Sequence, residues 1–433
     1  MKIAVIGAGY VGLVTGSCFS DLGNKVICVD NDQAKIKKLK AGSVPIYEPG
    51  LKELIRRNTK EGRLSFSTDI KSAVSKTDVI FICVGTPPKD NGDADLSFVE
   101  RVARDIAHAM SSYKLIVEKS TVPVNTGDWV ENTVSAHNKS KVKFDVASNP
   151  EFLREGSAIK DFMNPDRIVI GVKSKKARDI LTELYKPLKA EMVVTDVRSA
   201  ELIKHASNSF LAMKISFINA IANICDLLGA DVAEVSRGIG LDKRIGNSFL
   251  NAGIGFGGFC FPKDLGAFIR IAQKCGYDFG ILKEVQKVND AQKTMFLKKM
   301  ETMIWNLQDK TVGVLGLSFK PDTDDIRYSP AIDIIKLLVK EGVKVRAYDP
   351  VAIGRSRTEL GSKSGVKFCK DAYETARDSD CLIVATEWNE FKELDLKKIK
   401  KLMRQPVIID GRNIYDSEKV KAMGFKYSGI GRR

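Results

Sequence analysis

The first thirty residues constrain the fold of this chain more than any other stretch. The apolar strand Lys2–Ile6 leads into the glycine-rich run Gly7–Gly12, which opens a helix to about Leu22. A second strand, Lys25–Val29, follows and ends in Asp30. Strand, glycine turn, helix, strand and acid in this order form the dinucleotide-binding fingerprint, so the sequence predicts a parallel α/β sheet that begins with a βαβ unit.

The glycines of this run have separate expected tasks. Gly7 permits the tight turn, Gly9 lets a pyrophosphate approach the backbone, and Gly12 lets the helix pack closely on the strand. The helix N-terminus that follows, with Tyr10 and Val11, offers free N–H groups and the positive end of the helix dipole to phosphate.

Asp30 decides which dinucleotide is expected. It lies 23 residues after Gly7, where a carboxylate can accept a hydrogen bond from the ribose 2′-hydroxyl. The same carboxylate would repel a 2′-phosphate, so the predicted cofactor is NAD rather than NADP.

Length and composition limit the class of protein. At 433 residues the chain exceeds one ordinary core, and 44% hydrophobic with 28% charged residues is typical of soluble globular proteins. No apolar run approaches the roughly 20 residues of a membrane span, and the N-terminus has no signal-peptide pattern. Eight scattered cysteines without C-x-x-C pairs indicate reduced thiols and no metal site, so a cytoplasmic protein is expected.

The formal net charge of +15 raises nucleic-acid binding as an alternative. The lysines, however, cluster in amphipathic helices such as Gln33–Lys40 and Leu396–Leu402, and no nucleic-acid-binding motif accompanies them. Solvated helix faces explain this pattern, and a basic protein is equally suited to polyanionic small molecules. We therefore expect neither nucleic acid nor a membrane as a partner.

Further strands continue the α/β alternation, and the loops after two of them carry hydroxyl groups. Thr86 follows one strand, and Ser120 and Thr121 follow the next. Loops at the carboxyl ends of parallel strands line the ligand crevice, so these hydroxyls are candidates for cofactor or reaction-centre contacts. For Thr86 and Ser120 a turn or helix cap is an equal alternative. The predicted strands are Asp78–Val84, Leu115–Lys119, Asp145–Ala147 and Arg167–Val172.

The run Asn149–Gly156 places two carboxylates close together in sequence. Glu151 and Glu155 are four residues apart, so a helical turn would put both on one face. Like charges that close are unfavourable unless a site uses them, although a solvated surface pair is the simpler alternative.

The longest uninterrupted helix is predicted at Arg198–Leu228, which contains no glycine or proline. Lys204 and Asn208 lie four residues apart and interrupt its apolar character on one face. A lysine beside a mostly buried face loses its proton more readily, which suits it to accept a proton or to stabilise developing charge; a snorkelling lysine is the alternative. We expect the helix to join two lobes and to bury its other stripe in a dimer.

One cysteine stands in a glycine-rich turn, GFGGFCFPKD at Gly255–Asp264. The glycines permit backbone angles that side chains forbid and let a ligand approach the main chain. Cys260 can attack an electrophile as a thiolate, and Lys263 can favour that anion. Asp264 can orient a water or accept a proton. A surface turn with an ordinary buried cysteine is the alternative.

A second βαβ pattern spans 311–349 and differs from the first in its turn. Gly316 and Asp349 are 33 residues apart, ten more than the corresponding pair in the first unit. The extra residues form the polar loop Ser318–Arg327, which suits a phosphate-bearing ligand other than a second dinucleotide. Two later strands, Cys381–Ala385 and Val407–Asp410, are expected to complete a smaller sheet.

Five motifs together resemble the UDP-glucose/GDP-mannose dehydrogenase family of nucleotide-sugar dehydrogenases. They are GAGYVG, NPEFLREG, Lys204 with Asn208, GFGGFCFPKD and SFKPDTDDIR, in order over essentially the whole chain. The NPEFLREG and cysteine motifs are the most specific. The resemblance implies two Rossmann-like parallel-sheet domains joined by a long central helix and a helical middle domain. The implied domains are 1–197 for NAD, 198–306 for dimerisation and 307–433 for the UDP-sugar.

The reaction that this resemblance implies is oxidation of the C6 alcohol of UDP-glucose to UDP-glucuronate, with reduction of two NAD. Removing four electrons requires the enzyme to hold an aldehyde between two hydride transfers, and a thiohemiacetal on a cysteine would retain it. The resemblance makes Cys260 that nucleophile and Glu151 the base for thioester hydrolysis. It makes Lys204 the base or oxyanion partner, assisted by Asn208 and by a water that Asp264 holds.

The other matched positions are contacts to water, cofactor or substrate. Thr121 and Glu155 match residues that support the water and the cofactor, and Arg244 matches an arginine that reaches the sugar nucleotide of the second subunit. The further implied cofactor contacts are Lys35, Thr86, Lys263 and Arg327. The further implied substrate contacts are Phe152, Leu153, Glu155, Phe249, Leu250, Asn251, Gly253, Gly257, Phe319, Lys320 and Arg412.

Departures from the family pattern and other function classes leave alternatives. His205 follows Lys204 where the family more often has an aromatic residue, which we interpret as tolerated variation. The same chemistry on GDP-mannose is the first alternative, whereas Phe259 stands where N-acetylmannosamine enzymes have histidine. A non-catalytic NAD-binding protein and a nucleic-acid binder are the alternatives from other classes. The intact Cys260 and Lys204 argue against the non-catalytic protein.

Overall fold

The computed structural model describes residues 1–90, 92–361 and 365–432. They form two compact units, each made of two chain segments. The first unit contains Met1–Ser207 and Gly266–Tyr277, and the second contains Asn208–Leu265 and Asp278–Arg433. The boundaries at Ser207 and Leu265 fall inside helices.

The first unit is built on a mixed sheet. Its described strands are β1 Lys2–Ile6, β2 Lys25–Val29, β3 Leu64–Ser67, β4 Val79–Ile82, β5 Lys114–Glu118, β6 Phe144–Ser148, β7 Ile168–Val172 and β8 Met192–Thr195. Their order in the sheet is β3-β2-β1-β4-β5-β6-β7-β8. Neighbours are parallel except β6 and β7, which run antiparallel with Ala147 opposite Val172. The continued parallel alternation expected through β7 is therefore wrong at that one pair.

Helices cover both faces of this sheet, which explains its apolar strands. Ile3 and Val5 of β1 belong to one buried cluster, and Ala4 and Ile6 to the cluster on the opposite face. Strands buried on both faces read as continuous apolar runs, as VIFI of β4 does. The helices are α1 Tyr10–Asp21, α2 Gln33–Lys40, α3 Leu51–Lys60, α4 Ile70–Lys76, α5 Ser97–Ala109, α6 Thr126–His137, α7 Ala158–Met163 and α8 Lys175–Tyr185, with a 3₁₀ turn at Lys186–Leu188.

The second unit contains a smaller sheet whose described strand pairs are all parallel. Its strands are β9 Thr311–Leu315, β10 Lys344–Tyr348, β11 Val366–Phe368, β12 Cys381–Val384, β13 Val407–Asp410 and β14 Lys426–Gly429, in the order β11-β10-β9-β12-β13-β14. The remaining helices are α9 Val197–Leu228, α10 Val232–Gly240, α11 Cys260–Lys274, α12 Gly280–Met303, α13 Pro330–Lys340, α14 Ile353–Leu360, α15 Ala372–Ala376, α16 Asn389–Lys392, α17 Leu396–Leu402 and α18 Ser417–Ala422. The expected second βαβ unit and the smaller sheet are confirmed.

α9 is long and apolar enough to cross a membrane by length and composition alone, contrary to the sequence expectation. However, its buried Glu201 accepts hydrogen bonds of 2.7 Å from the N–H groups of Asn125 and Gly127. Its buried Asn219 accepts one of 2.8 Å from the N–H of Gly253. Polar side chains bonded to protein in this way show that α9 packs against other parts of this protein at these two positions.

Candidate active-site residues

The glycine turn after β1 has the geometry that its sequence predicts. Gly7 has a φ of +104°, and a Cβ on it would lie 2.6 Å from the carbonyl oxygen of Cys83. A Cβ on Gly12 would lie 1.8 Å from the carbonyl oxygen of Gly7, whereas no described atom lies within 4 Å of the Cβ position of Gly9. Packing therefore requires Gly7 and Gly12, and the open side at Gly9 fits the close approach of a pyrophosphate.

The acid at the end of β2 is fixed beside that turn. Asp30 Oδ2 accepts a hydrogen bond of 2.9 Å from the N–H of Ala8, in the glycine turn. The same oxygen pairs with Lys35 Nζ at 2.8 Å. Two predicted cofactor residues, Asp30 and Lys35, thus lie together where a ribose hydroxyl and a phosphate are expected, and this arrangement fits NAD.

The hydroxyl groups after β4 and β5 join their two loops. Thr86 Oγ1 donates to the carbonyl oxygen of Thr121 at 2.9 Å, and Ser120 Oγ donates to that of Val84 at 2.8 Å. The bonded residues are 35 and 36 positions apart in the chain, so these bonds are neither a local turn nor a helix cap. The cofactor roles of Thr86 and Ser120 stay predictions. The His205 Nε2 atom lies 2.8 Å from the carbonyl oxygen of Val122, so this histidine anchors α9 to the same loop.

Glu151 forms a buried ion pair with Lys204. Glu151 Oε1 lies 3.3 Å from Lys204 Nζ, and the two residues are only 6% and 4% exposed. Glu151 Oε2 also accepts from the N–H of Leu153 at 2.6 Å. Burial of two charges is tolerated when they are paired and further hydrogen-bonded, as here.

The expected helical turn that would put Glu151 and Glu155 on one face is wrong. Residues 149–156, all described, contain no helix, because Glu151 turns inward to Lys204 while Glu155 lies in a half-buried turn. Phe152 between them is covered by the guanidinium of Arg167, 3.6 Å from the ring centre, and lies 5.1 Å from Lys204 Nζ.

Sequence reasoning missed Glu48, which joins the end of the NPEFLREG run to α1. Its carboxylate accepts from the N–H groups of Gly156 at 2.6 Å and Ala158 at 2.8 Å. It also accepts from the hydroxyl of Tyr10. A lone glutamate before a Pro-Gly pair gave no signal of this role in the sequence.

Sequence reasoning also missed Lys119, the last residue of a predicted strand. Lys119 Nζ donates to Asn149, at 3.2 Å to the main-chain oxygen and 3.0 Å to Oδ1. Asn149 Nδ2 in turn donates to the carbonyl oxygen of Val169 at 2.8 Å. Burial lowers the pKa of Lys119 to about 8. This lysine fixes the backbone just before Pro150 and Glu151.

In the second unit, Cys260 is the first residue of α11 and is exposed. The sequence placed it inside a turn, so the helix begins earlier than expected. The N-terminal end of a helix favours an anion, which supports a thiolate at this position. Gly255 and Gly258 before it have φ values of +103° and +79°. The turn thus needs glycine, as predicted.

One helical turn after Cys260, Asp264 is held by two partners. Its Oδ2 accepts a hydrogen bond of 2.6 Å from Asn208 Nδ2. Its Oδ1 pairs with Lys263 Nζ at 2.7 Å. All three side chains are largely buried, and positions i and i+4 share a helix face, so the acid and the sulfur project to the same side of α11.

The loop after β9 approaches the cysteine turn. Arg327 pairs with Asp325 at 2.6 Å, and its guanidinium lies 4.3 Å from the centre of the Phe259 ring. The N–H of Gly258 donates to the carbonyl oxygen of Arg327 at 3.0 Å. Lys320 Nζ lies 5.8 Å from the ring of Phe319. The loop thereby places two cations beside the turn.

Arg412, after β13, connects this loop to the turn. Its Nη2 donates to the carbonyl oxygen of Phe319 at 3.1 Å, and its Nη1 donates to that of Gly255 at 3.4 Å. A Cβ on Gly253 would lie 3.2 Å from the same Nη1. Four predicted substrate residues are therefore neighbours: Gly253, Gly257, Phe319 and Arg412.

Four other predicted substrate residues precede the cysteine turn in the chain, namely Arg244, Phe249, Leu250 and Asn251. Phe249 has a strained φ of +65°, Leu250 is buried, and Asn251 is exposed. Arg244 is exposed and pairs with Asp242 at 2.6 Å. The roles of these residues stay predictions. Among the described residues, no cluster of histidine, cysteine or carboxylate side chains could hold a metal ion.

Asp349, the acid that follows β10, makes different contacts from Asp30, the acid that follows β2. Asp349 Oδ2 accepts from the N–H groups of Leu317 at 2.8 Å and Ser318 at 3.0 Å, and Asp349 is fully buried. Its Oδ1 accepts from the N–H of Ala352 at 2.8 Å. The carboxylate is thus committed to internal bonds, which agrees with the expectation that this turn does not bind a second dinucleotide.

Three models of the UDP-glucose/GDP-mannose dehydrogenase family match the chain. The NAD binding domain matches residues 1–189, the central domain 198–291 and the UDP binding domain 313–417. The chain is 51% identical to the UDP-glucose 6-dehydrogenase TuaD of Bacillus subtilis, over 100% of this chain and 93% of that protein. It is 48% identical to the UDP-glucose 6-dehydrogenase of Rhizobium meliloti, over 100% of both chains. A UDP-glucose dehydrogenase structure from Pyrobaculum islandicum has a TM-score of 0.93 at 41% identity, over 100% of this chain and 98% of that one.

Proposed function

Because this chain belongs to the UDP-glucose/GDP-mannose dehydrogenase family, we propose that it oxidises UDP-glucose at C6 to UDP-glucuronate, with two NAD reduced per sugar. The exposed Cys260 at the start of α11, one helical turn before the buried Asp264, is the observation that carries this proposal. A dehydrogenase that stops at the aldehyde needs no cysteine nucleophile. The identity to two UDP-glucose 6-dehydrogenases supports UDP-glucose over GDP-mannose.

NAD would be held by the glycine turn and by Asp30 with Lys35. When bound, it accepts the hydride in each oxidation. The protein supplies position and charge around that transfer. Asp30 would accept from a ribose hydroxyl, and the N-terminus of α1 would face the pyrophosphate.

In the first oxidation, the hydroxyl proton at C6 must leave as the hydride departs. The buried pair with Glu151 favours a protonated Lys204, so we assign Lys204 to stabilising the developing oxyanion. Asp264, fixed by Asn208 and Lys263, would accept the hydroxyl proton through a water.

The aldehyde is then held covalently. Sγ of Cys260 attacks its carbonyl carbon, and the new oxyanion takes a proton to give a thiohemiacetal. Loss of the hydride, which a second NAD would accept when bound, and of the hydroxyl proton, which would pass to Asp264 through its water, would give a thioester. Water, deprotonated by Glu151, adds to the thioester carbon; the C–S bond breaks, and the carboxylate and the thiol are released.

The first test is the number of NADH formed per UDP-glucose consumed, run to completion with excess NAD. We expect two, and a ratio of one would mean that an aldehyde is released and that Cys260 has no covalent role. Formation of NADH with GDP-mannose alone would reassign the sugar nucleotide.

The second test is Cys260→Ser, with Cys275→Ser as its control because Cys275 is the other exposed cysteine among the described residues. The Cys260 variant should bind NAD normally and form no UDP-glucuronate, since no thioester can form. Full acid production by this variant contradicts the covalent scheme. Lys204→Ala should slow the chemical step far more than it weakens NAD binding.

We also propose a homodimer. Phe210, Phe217 and Ile224 of α9 are 58%, 53% and 48% exposed and are spaced by seven residues, with exposed Leu227 and Leu228 beyond them. Seven-residue spacing puts them on one helix face, and a second copy of this apolar face would cover it. Phe217→Glu should give a monomer in light scattering; an unchanged mass would exclude this face.

Two further proposals concern location and partners. The eight cysteines are free thiols, as in proteins of a reducing compartment, which supports a cytoplasmic location. The substrate is the small-molecule partner. The matched UDP binding domain supports a nucleotide sugar rather than nucleic acid as the anionic ligand of this basic chain.

A further inference from the structure

The glycine turn that leads to Cys260 is held by an amide side chain of α12. Asn289 Oδ1 accepts from the N–H of Phe256 at 2.7 Å, and Asn289 Nδ2 donates to the carbonyl oxygen of Phe256 at 3.1 Å. One side chain thus satisfies both backbone groups of one residue, as a neighbouring strand does in an antiparallel pair. A Cβ on Gly255 would lie 2.9 Å from Asn289 Oδ1, so this approach also needs glycine.

A second side chain of α12, three residues after Asn289, also forms a hydrogen bond to the backbone of this segment. Gln292 Nε2 donates to the carbonyl oxygen of Gly253 at 3.0 Å, and the N–H of Gly253 donates to Asn219 Oδ1 at 2.8 Å. Gln292 and Asn219 are 1% and 0% exposed, where an unmade hydrogen bond is costly. The backbone is therefore pinned at Gly253 and again at Phe256.

Side-chain packing around Phe256 is incomplete on one side. A cavity of about 140 Å³ lies against Phe256, Pro262 and Leu265, and Asn289 lines it from α12. Pro262 and Leu265 belong to the first two turns of α11, which Cys260 begins. Atoms that face a cavity lack contacts on that side, so the hydrogen bonds from α12 restrain the backbone where packing does not.

We propose that Asn289 and Gln292 are positioning residues for Cys260. They fix the backbone of the turn and so the point at which α11 begins, which sets where the sulfur stands relative to the carbon that it attacks. Their role in catalysis rests on the proposed function, whereas their effect on the reactivity of the cysteine does not. They act through the backbone, four to seven residues before the sulfur.

The test compares Asn289→Leu and Gln292→Met, which keep the approximate size and remove the hydrogen bonds, with Asn289→Asp, which keeps the acceptor for Phe256. Gln286→Ala is the matched control, because Gln286 is exposed on the same helix and lines the same cavity. Every variant carries Cys275→Ser, so that iodoacetamide reports on the remaining exposed cysteine, Cys260. The measurements are kcat and KM for NADH formation, the rate of Cys260 alkylation followed by mass spectrometry, and the urea midpoint.

We expect Asn289→Leu to lower kcat by roughly 10²-fold, the cost of misplacing a reacting group by about 1 Å. KM for NAD should change less than twofold, and alkylation of Cys260 should slow several-fold. Asn289→Asp should recover part of both rates, and Gln286→Ala should match the parent protein.

Two results separate this proposal from the proposed function. Normal kcat and normal alkylation in Asn289→Leu and Gln292→Met would overturn the positioning role, as would a loss of kcat that follows only the unfolded fraction. If the parent protein forms no NADH from any sugar nucleotide, while alkylation of Cys260 still depends on Asn289, the positioning role stands and the proposed function fails.

Discussion

Gly257→Ala tests whether a close approach of two backbone segments shapes the cysteine turn. A Cβ at this position would lie 2.3 Å from the carbonyl oxygen of Tyr328, 3.0 Å from Pro330 Cδ and 3.1 Å from Phe319 Cβ. None of these atoms is the far end of a flexible side chain, so a rotamer change cannot relieve the clash. The φ of Gly257 is not in the left-handed region, so the effect is one of space alone.

The magnitude follows from the distance. Ordinary contact begins at 3.4 Å, so the methyl group and the Tyr328 oxygen must separate by 1.1 Å from their 2.3 Å approach. A shift of about 1 Å near a reacting group costs roughly 10²-fold in rate, or about 2.7 kcal/mol of activation free energy. Overpacking also lowers stability by about 1–3 kcal/mol.

Gly266→Ala is the matched control, nine residues later in the interior of α11. Apart from the backbone of α11 and the chain neighbours of Gly266, no described atom lies within 4 Å of its Cβ position, and alanine there gains about 0.8–1 kcal/mol of helix propensity. The assay is the initial rate of NADH formation at saturating UDP-glucose and NAD, together with urea unfolding. We expect Gly257→Ala to lose rate and stability, and Gly266→Ala to keep the rate and gain stability.

A Gly257→Ala protein with the parent kcat would refute this reasoning. It would show either that the turn relaxes without moving Cys260 or that this turn does not set the rate. Equal losses in both variants would instead indicate a general intolerance of alanine in this segment.

Three further changes test other parts of the structure. Glu48→Gln should lower the free energy of unfolding by about 1–3 kcal/mol, because an amide cannot accept from Gly156, Ala158 and Tyr10 as the carboxylate does. The control is Glu53→Gln, at an exposed position. Equal urea midpoints of the two variants would contradict the role of Glu48. For Lys119, whose pKa burial lowers from 10.5 to about 8, the unfolded chain binds more protons between these values, so stability should rise with pH across that window by up to about 3 kcal/mol. Lys119→Met should remove this rise, measured by urea unfolding at pH 8 and 10. The same rise with pH in the parent and the variant would contradict the lowered pKa of Lys119. Asp349→Asn should lower the free energy of unfolding by about 1–3 kcal/mol in the same assay, because an amide N–H₂ would face the N–H donors of the loop after β9. Asp309→Asn, at an exposed position, should leave the free energy of unfolding unchanged.

Local spacing predicted much of the fold. The predicted bounds of β1, β2, β13, α2 and α17 agree with the structure, and the other elements whose bounds were predicted differ at their ends by one or two residues. Apolar runs such as VIFI identify strands covered on both faces, and the stretch Arg198–Leu228, without glycine or proline, predicts α9. The glycine turn was predicted because φ and close approach restrict it to glycine.

Long-range arrangement was not predictable in this way. The antiparallel pairing of β7 depends on the path of residues 149–167, which no local period describes. Glu151 and Glu155 have helical spacing, yet residues 149–156 form no helix and Glu151 pairs with the buried Lys204. Glu48 and Lys119 act on backbone groups far along the chain, so their neighbours in sequence carry no sign of their roles.

The sequence by itself determined which residues are able to carry the chemistry: a cysteine among glycines, a lysine and an asparagine one helical turn apart, and an acid at the end of β2. Only the tertiary structure decided their partners. Lys204 pairs with Glu151, and Asp264 accepts a hydrogen bond from Asn208, 56 residues away. Asn289 forms hydrogen bonds to the backbone of the cysteine turn. The reason is physical: side-chain type and local spacing are written in the chain, whereas burial and hydrogen-bond partners arise when packing brings distant segments together.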